Sequence, residues 1–205
     1  MIKRSFERGD IIEQLAMLPQ RHRAAYAMAC AERLIPLYRW FQEVESWGDQ
    51  TVLERGIELG WTWIRGEHPQ DAEIADAVRA CEDVTPDTED FDSPLASRAL
   101  DAASAVAQAL EVCISPLPET AADAGEIAWE CAFGVEQSRL LDAATVHFAD
   151  RELLEQAAQG GFVLLEEDLQ KRSLKWLRQV LLTNEKVDIF RKTFAQLSEI
   201  TSHEI

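Results

Sequence analysis

The chain reads as an all-α protein: a single-domain, irregular bundle of about seven to nine helices with no sheet. Three observations carry that reading. Apolar residues recur at spacings of three and four along most of the 205 residues. No window shows sustained alternation with β-branched enrichment, the mark of a half-buried strand. Proline, glycine, Asp and Ser fall where helices would start and stop. The length suits one domain over 1–205, able to bury roughly 70% of its unfolded surface. A hydrophobic share of 47% is ordinary for a globular chain, so a folded core is expected despite the charge.

The elements follow in order. Asp10 is placed to cap a short helix through Leu18, and Pro19 suits the first turn of the next. In that second helix Tyr26, Cys30, Leu34, Leu37, Phe41 and Val44 make one stripe, with Pro36 imposing a kink or break. Gly48-Asp49 restarts the chain, Asp49 capping a helix to about Arg65 that carries Trp61 and Trp63. These two tryptophans are two apart, roughly 200° around the axis, so either that helix is buried on two sides or one indole sits at an interface.

A fourth helix is expected over about 70–83, then a loop from Val84 to Asp92. Ser93-Pro94 opens an Ala-rich helix that Pro116 and Pro118 end. Glu119 to about Phe148 reads as a long helix, with Gly125 and Gly134 as candidate breaks. Asp150 caps a short helix stopping at Gly160-Gly161. Phe162–Leu182 is amphipathic, and a last helix spans about Val187 to Ile200.

Charge is distributed unevenly. Residues 71–130 hold 15 Asp+Glu against only Arg79 and Arg98, which is 13 of the 17 net negative charges. Residues 1–70 carry 10 acidic and 9 basic side chains, and residues 131–205 carry 12 and 9, so both ends are near balance. Such a block repels phosphates and anionic lipid, which argues against nucleic-acid and membrane partners. It attracts basic protein surfaces or cations. No apolar run approaches the ~18 residues of a membrane span. The charged start Met1-Ile2-Lys3-Arg4 lacks the apolar core of a signal peptide, so a cytoplasmic location is expected.

Candidate chemistry is sparse. Cys30, Cys81, Cys113 and Cys131 lie far apart with no C-x-x-C pair, so buried thiols are expected rather than a zinc site. The loop Asp87-Thr88-Glu89-Asp90-Phe91-Asp92 fails the calcium-loop pattern, since Phe91, Asp92 and Arg98 stand at its fifth, sixth and twelfth positions. His68 and Asp71, and His147 and Asp150, are three apart, a spacing that suits local capping. Glu152, Glu155, Glu185 and Asp188 superficially resemble the paired E-x-x-E and E-x-x-D motifs of MazG-type nucleotide pyrophosphatases. The intervening helix, roughly 30 Å long at 1.5 Å per residue, separates the two pairs.

The segment Ala27-Met28-Ala29-Cys30-Ala31-Glu32-Arg33-Leu34-Ile35-Pro36-Leu37-Tyr38, followed by Phe41 and Gly48-Asp49, resembles the bacterial YjaG family of small helical proteins. That family's signature has the form A-C-x-E-R-x-x-P-x-Y-x-x-F, then G-D. The likeness continues more loosely through the loop ending at Asp92 to about residue 182, and the tail 183–205 matches less well. The resemblance implies an all-helical, soluble bacterial protein and brings no reaction or assigned site. Its motif residues Cys30, Glu32, Arg33, Pro36 and Tyr38 are expected to be structural, with Glu32 and Arg33 as a buried ion-pair device beside the Pro36 kink. Lining a binding groove is the alternative role.

The leading functional expectation is a non-enzymatic interaction protein of inhibitor or immunity type, whose acidic middle docks a basic protein partner through Asp87, Glu89, Asp90 and Asp92. No cofactor or metal is called for, and homo-oligomerisation is compatible with the pattern. The alternatives are the MazG-like metal-dependent hydrolase, and a housekeeping bundle whose acidity serves solubility alone.

Overall fold

A computed structural model describes residues 7–143 and 151–196, and all regular structure in those residues is helical. The order is α1 (Arg8–Ala16), α2 (Gln20–Glu32), α3 (Ile35–Glu45), α4 (Gln50–Arg65), α5 (Asp71–Asp83), a 3-10 turn (Thr88–Asp90), α6 (Leu95–Ile114), α7 (Pro118–Ala143), α8 (Arg151–Ala157), α9 (Gly161–Leu177) and α10 (Asn184–Phe194). The all-α class stands. One hydrophobic cluster runs through the elements from Ile11 to Ala195.

Helix α2 is the hub. Every residue from Ala24 to Ala31 is buried, so it has no solvent face, and a helix apolar all round belongs inside. It packs against α4, α6, α7, α9 and α10. Four consecutive residues in its first turn reach four different neighbours, because successive side chains fan out about 100° apart. Gln20 donates to Cys113 O at the end of α6 (3.2 Å), and Arg21 to Ile64 O at the end of α4 (2.8 and 2.5 Å). His22 Nε2 donates to Val180 O after α9 (3.0 Å). Arg23 serves Leu15 O and Ala16 O at the end of α1 and Pro116 O before α7. Helix C-termini leave carbonyls without intrahelical partners, and this one turn satisfies several of them.

Helix α6 is the second inner element, contacting α2, α3, α4, α5 and α7. Ala96, Ala99, Ala102, Ala103, Ala105, Ala107 and Ala109 are all buried, so small side chains let five neighbours approach one axis.

Several local expectations change. Glu7, not Asp10, is the N-cap of α1, and Asp10 lies inside its first turn. Pro19 is the N-cap residue of α2. The stripe through Pro36 is broken rather than kinked: α2 ends at Glu32, and α3 restarts with Pro36 in its first turn, the position where a missing N–H costs nothing. Val44, the last member of that stripe, is exposed. Asp49 caps α4 as expected, accepting from Thr51 N at 2.9 Å. Ser93 Oγ accepts from Leu95 N (3.2 Å), but the regular helix begins one residue after Pro94.

Helix α7 runs unbroken through Gly125 and Gly134. Gly125 marks a close approach instead, where a Cβ would collide with the Tyr26 hydroxyl and lie 3.2 Å from Gln170 Oε1. The expected continuation to Phe148, and the cap at Asp150, lie outside the described residues. Gly160 starts α9, which ends at Leu177, not Leu182. Helix α10 ends at Phe194 with Ala195 as its C-cap, short of the expected Ile200. Trp61 and Trp63 are both buried, so α4 is covered on two sides and neither indole is an interface residue.

Because Ala102 is fully buried where α6 is crowded, Ala102→Leu should destabilise the fold by about 1–3 kcal/mol through overpacking. Urea unfolding followed by far-UV circular dichroism measures this, with Ala→Ser at exposed positions as the neutral reference.

Candidate functional site

The candidate sites are the Glu32-Arg33 pair and the acidic loop. The pair lies where α2 ends and the chain turns into α3. Arg33 is buried and every N–H of its guanidinium has an acceptor. Nε donates to Glu166 Oε2 (2.8 Å) and Nη2 to Glu166 Oε1 (2.5 Å), a bidentate pair with α9. Nη1 donates to Ala29 O (2.9 Å) and to Phe194 O at the end of α10 (2.6 Å). Nη2 also reaches Cys30 Sγ at 3.4 Å. Burial opposes the charge, but the Glu166 carboxylate outweighs it and the Arg33 pKa is raised.

The network continues inward. Gln170 Nε2 donates to Glu166 Oε1 (2.7 Å) and to Gly125 O (2.8 Å), while Gln170 Oε1 accepts from Tyr26 OH (2.8 Å). Desolvation pushes the Cys30 thiol up to about 11, so it is an inert buried group at neutral pH.

Glu32 points to the other side. It takes a bidentate contact from Arg191 of α10 (3.0 and 2.8 Å), accepts from Trp61 Nε1 (2.7 Å), and shares Arg191 with Glu58. The Arg191 guanidinium also lies 5.5 Å over the Trp61 ring. Two adjacent residues thus clamp α9 and α10 to the end of α2. Tyr38 OH donates to Val84 O (2.6 Å), and its ring backs Gly48, where a Cβ would collide with the hydroxyl at a φ of +88°.

Two recesses flank the motif. An apolar slot of about 70 Å³ lies between α3, α7 and α9, lined by Leu37, Ala132, Val135, Phe162 and Leu165 with the Arg33–Glu166 pair at its wall. A wider polar groove of about 450 Å³ is bounded by Glu32, Arg39, Glu54, Glu58 and Arg191. Its charges are internally matched: Arg39 with Glu54 at 3.1 Å, and Arg191 with Glu32 and Glu58. Pro36 borders both recesses.

The acidic block divides into parts with different fates. On α7, Asp123 and Glu126 pair with Arg8 of α1. Asp101 on α6 is half-buried beside Cys131, and desolvation raises its pKa to about 6 against the pull of Arg98. The stretch 71–92 is the densest exposed part, with Asp71, Glu73, Asp76, Glu82, Asp83, Asp87, Glu89, Asp90 and Asp92 all exposed, while Glu111, Glu119 and Glu130 are exposed farther along the chain. Arg79 is the one base in that stretch, and it pairs with Asp76. Within the loop, Asp87 accepts from Glu89 N (3.0 Å) and so caps the 3-10 turn. Phe91 turns inward against Phe41, with ring centroids 5.0 Å apart.

The other candidates do not converge. His68 is exposed in the turn before α5, with φ +48°. His147 and Asp150 lie outside the described residues, as does the Glu152 side chain. Glu155 and Glu185 are exposed, and Asp188 pairs with Arg65 at 2.7 Å. Among the described residues no group of three or more His, Cys, Asp or Glu side chains is placed to hold a metal ion. All four cysteines are buried and unpaired.

Sequence reasoning missed Glu166, Gln170 and Arg191. A signal was present for the first two: on α9 the buried positions Val163, Glu166, Gln170 and Leu174 follow helical spacing, so a carboxylate and an amide interrupt an otherwise apolar stripe.

An all-helical fold clamped at the end of a buried central helix is therefore the class of structure in hand. The family model described as "Protein of unknown function (DUF416)" matches residues 10–199, and the chain belongs to that family. The crystal structure of a DUF416 family protein from Shewanella baltica OS155 is similar to it, with 23% identity, a TM-score of 0.74, and coverage of 89% of this chain and 92% of that one. At that identity the likeness concerns the fold. No curated protein matches the chain. No described helix is long and apolar enough to cross a membrane.

Two outcomes follow from the geometry. Arg33→Met strands Glu166 as a buried unpaired carboxylate and should destabilise by about 3–5 kcal/mol, whereas Arg33→Met combined with Glu166→Leu should cost less than the first change alone. A double-mutant cycle from urea melts decides this.

The second outcome concerns pH. A folded-state pKa near 6 for Asp101, above the ~3.9 of an unfolded chain, means the native state holds that proton more tightly. Stability from this group is therefore lost as pH rises from about 4 to about 6, and the penalty is complete above that window. Asp101→Asn should raise Tm at pH 8 and leave it nearly unchanged at pH 4, as read by thermal melts at the two values.

Proposed function

We propose that this protein is a non-enzymatic, cytoplasmic interaction module of the inhibitor or immunity type, which docks a basic protein partner on the outer edge formed by α5 and the loop after it. The observation that carries this is the concentration of nine exposed carboxylates in 71–92 against the single, already paired Arg79. Their field would steer a cationic protein into contact, with an on-rate that falls steeply as salt rises. Asp87, Glu89, Asp90 and Asp92 are the partner-facing residues, and Phe91 holds their loop against the core.

In this reading Cys30, Glu32, Arg33, Pro36 and Tyr38 are structural residues of a YjaG-like chain. The support is that Glu32 and Arg33 are saturated by contacts to α9, α10 and Trp61, and that Tyr38 ties Val84 in place. The chain 1–205 acts as one unit.

The test compares wild type with the variant Asp87→Asn, Glu89→Gln, Asp90→Asn, Asp92→Asn, each immobilised and exposed to lysate of the source cell at low and high salt. A basic protein should be retained by wild type at low salt and lost at high salt, and the variant should hold it at least tenfold more weakly when the purified pair is titrated. Retention that ignores both salt and neutralisation, or no basic protein retained at all, would remove the proposal.

A further inference from the structure

The exposed tryptophan of this chain is Trp47, in the turn between α3 and α4, with 37% of its surface accessible. Its ring meets Phe91 of the acidic loop edge-on at 5.5 Å and Phe41 at 5.9 Å, and Val44 beside it is also exposed. The platform is held on both sides. Ser46 and Gly48 adopt left-handed conformations that fold the turn back, and Tyr38 binds the start of the acidic loop through Val84 O.

Neither segment that forms this patch contains a base: none lies between Arg39 and Arg55, and none between Arg79 and Arg98. Glu43 and Asp49 flank Trp47 along the chain, while Asp87, Glu89, Asp90 and Asp92 surround Phe91, and all six are exposed. An aromatic surface is thus set mainly among carboxylates, with Arg55 acting on Asp49 at one margin.

That combination selects its occupant. A second copy would bring the same carboxylates against these, and an anionic membrane or nucleic acid would be repelled in the same way. A guanidinium satisfies both features at once, because it stacks on the negative face of an indole and pairs with carboxylates. Tryptophan and arginine are also the residues most often found as interface hot spots.

We propose that the Trp47–Phe91 platform is the anchor point of the docking surface, taking an arginine side chain from a basic protein segment whose neighbouring bases pair with Asp87–Asp92. This rests on the reading of the acidic edge as a docking face and adds where the partner is held and by which side chain.

The probe is a synthetic peptide of alternating Arg and Gly, titrated into the ¹⁵N-labelled full chain. The Trp47 indole N–H signal, assigned from its loss in Trp47→Phe, should move on binding while the buried Trp61 signal stays. Trp47→Ala should weaken the peptide about tenfold and leave the slope of log affinity against log salt unchanged. Trp47→Phe keeps a ring against Phe41 and Phe91, and should lose about threefold with the remaining indole signals undisturbed, which separates anchoring from loosening of the turn. The Asp87/Glu89/Asp90/Asp92 neutralised variant should lose both affinity and salt dependence. If Trp47→Ala and Trp47→Phe bind as wild type while the neutralised variant does not, the anchor is wrong and the acidic docking face stands alone. If wild type does not bind the peptide, the anchor is also wrong, and capture of a basic protein from lysate decides the docking face separately.

Discussion

Everything in this bundle depends on a helix that has no outside. Helix α2 is buried from Ala24 to Ala31 on every face, so its hydrophobicity, equal all round, says little about its rotation or axial position. Its polar ends supply both. Gln20, Arg21, His22 and Arg23 donate to one set of neighbours at the first turn, and at the last Arg33 donates to Glu166 while Glu32 accepts from Arg191. Buried ion pairs of this kind contribute little net stability, since desolvation offsets much of the attraction. Their effect here is registry: a one-residue rotation of α2 would strand Glu166, Arg191 and several helix-end carbonyls together.

The charges follow the same inside-to-outside logic. Near the hub, each base has a matched acid or carbonyl, as the Arg191–Glu32–Glu58 and Arg33–Glu166 groups show. Farther out the matching lapses. Arg8 still balances Asp123 and Glu126, but α5 and the loop behind it are left with carboxylates alone apart from Arg79. Unmatched charge thus collects on one edge, while the Glu32-Arg33 segment sits in a part of the chain where charges cancel. Fold and surface character are carried by different segments, and the turn at Trp47 is where the two meet.

Much of the fold was legible because its signals are local. Asp49 before α4 and the Ala-rich face of α6 can each be read from a few neighbouring residues. The Pro36 break was legible as a disturbance but not as a clean separation of two helices, since proline in a first turn and proline in a kink share the same sequence context. For Trp61 and Trp63 the sequence leaves two readings open, because spacing shows that two indoles diverge, not that both directions are covered. The partners of Glu32 and Arg33 were out of reach for another reason. They lie on α9 and α10, and a cation's counter-charge over a hundred residues away leaves no periodic trace.

The distance along the chain between Arg33 and its acceptors has a consequence in time. Glu166 follows it by 133 residues and Phe194 O by 161, and His22 waits 158 residues for Val180. A chain made from its N-terminus completes its innermost helix early and the groups that seal it last. Contacts of such long range slow folding, because loop closure must precede them. Until α9 and α10 arrive, the first 160 residues hold a hub with its charged ends uncovered. The C-terminal helices act as the keystone.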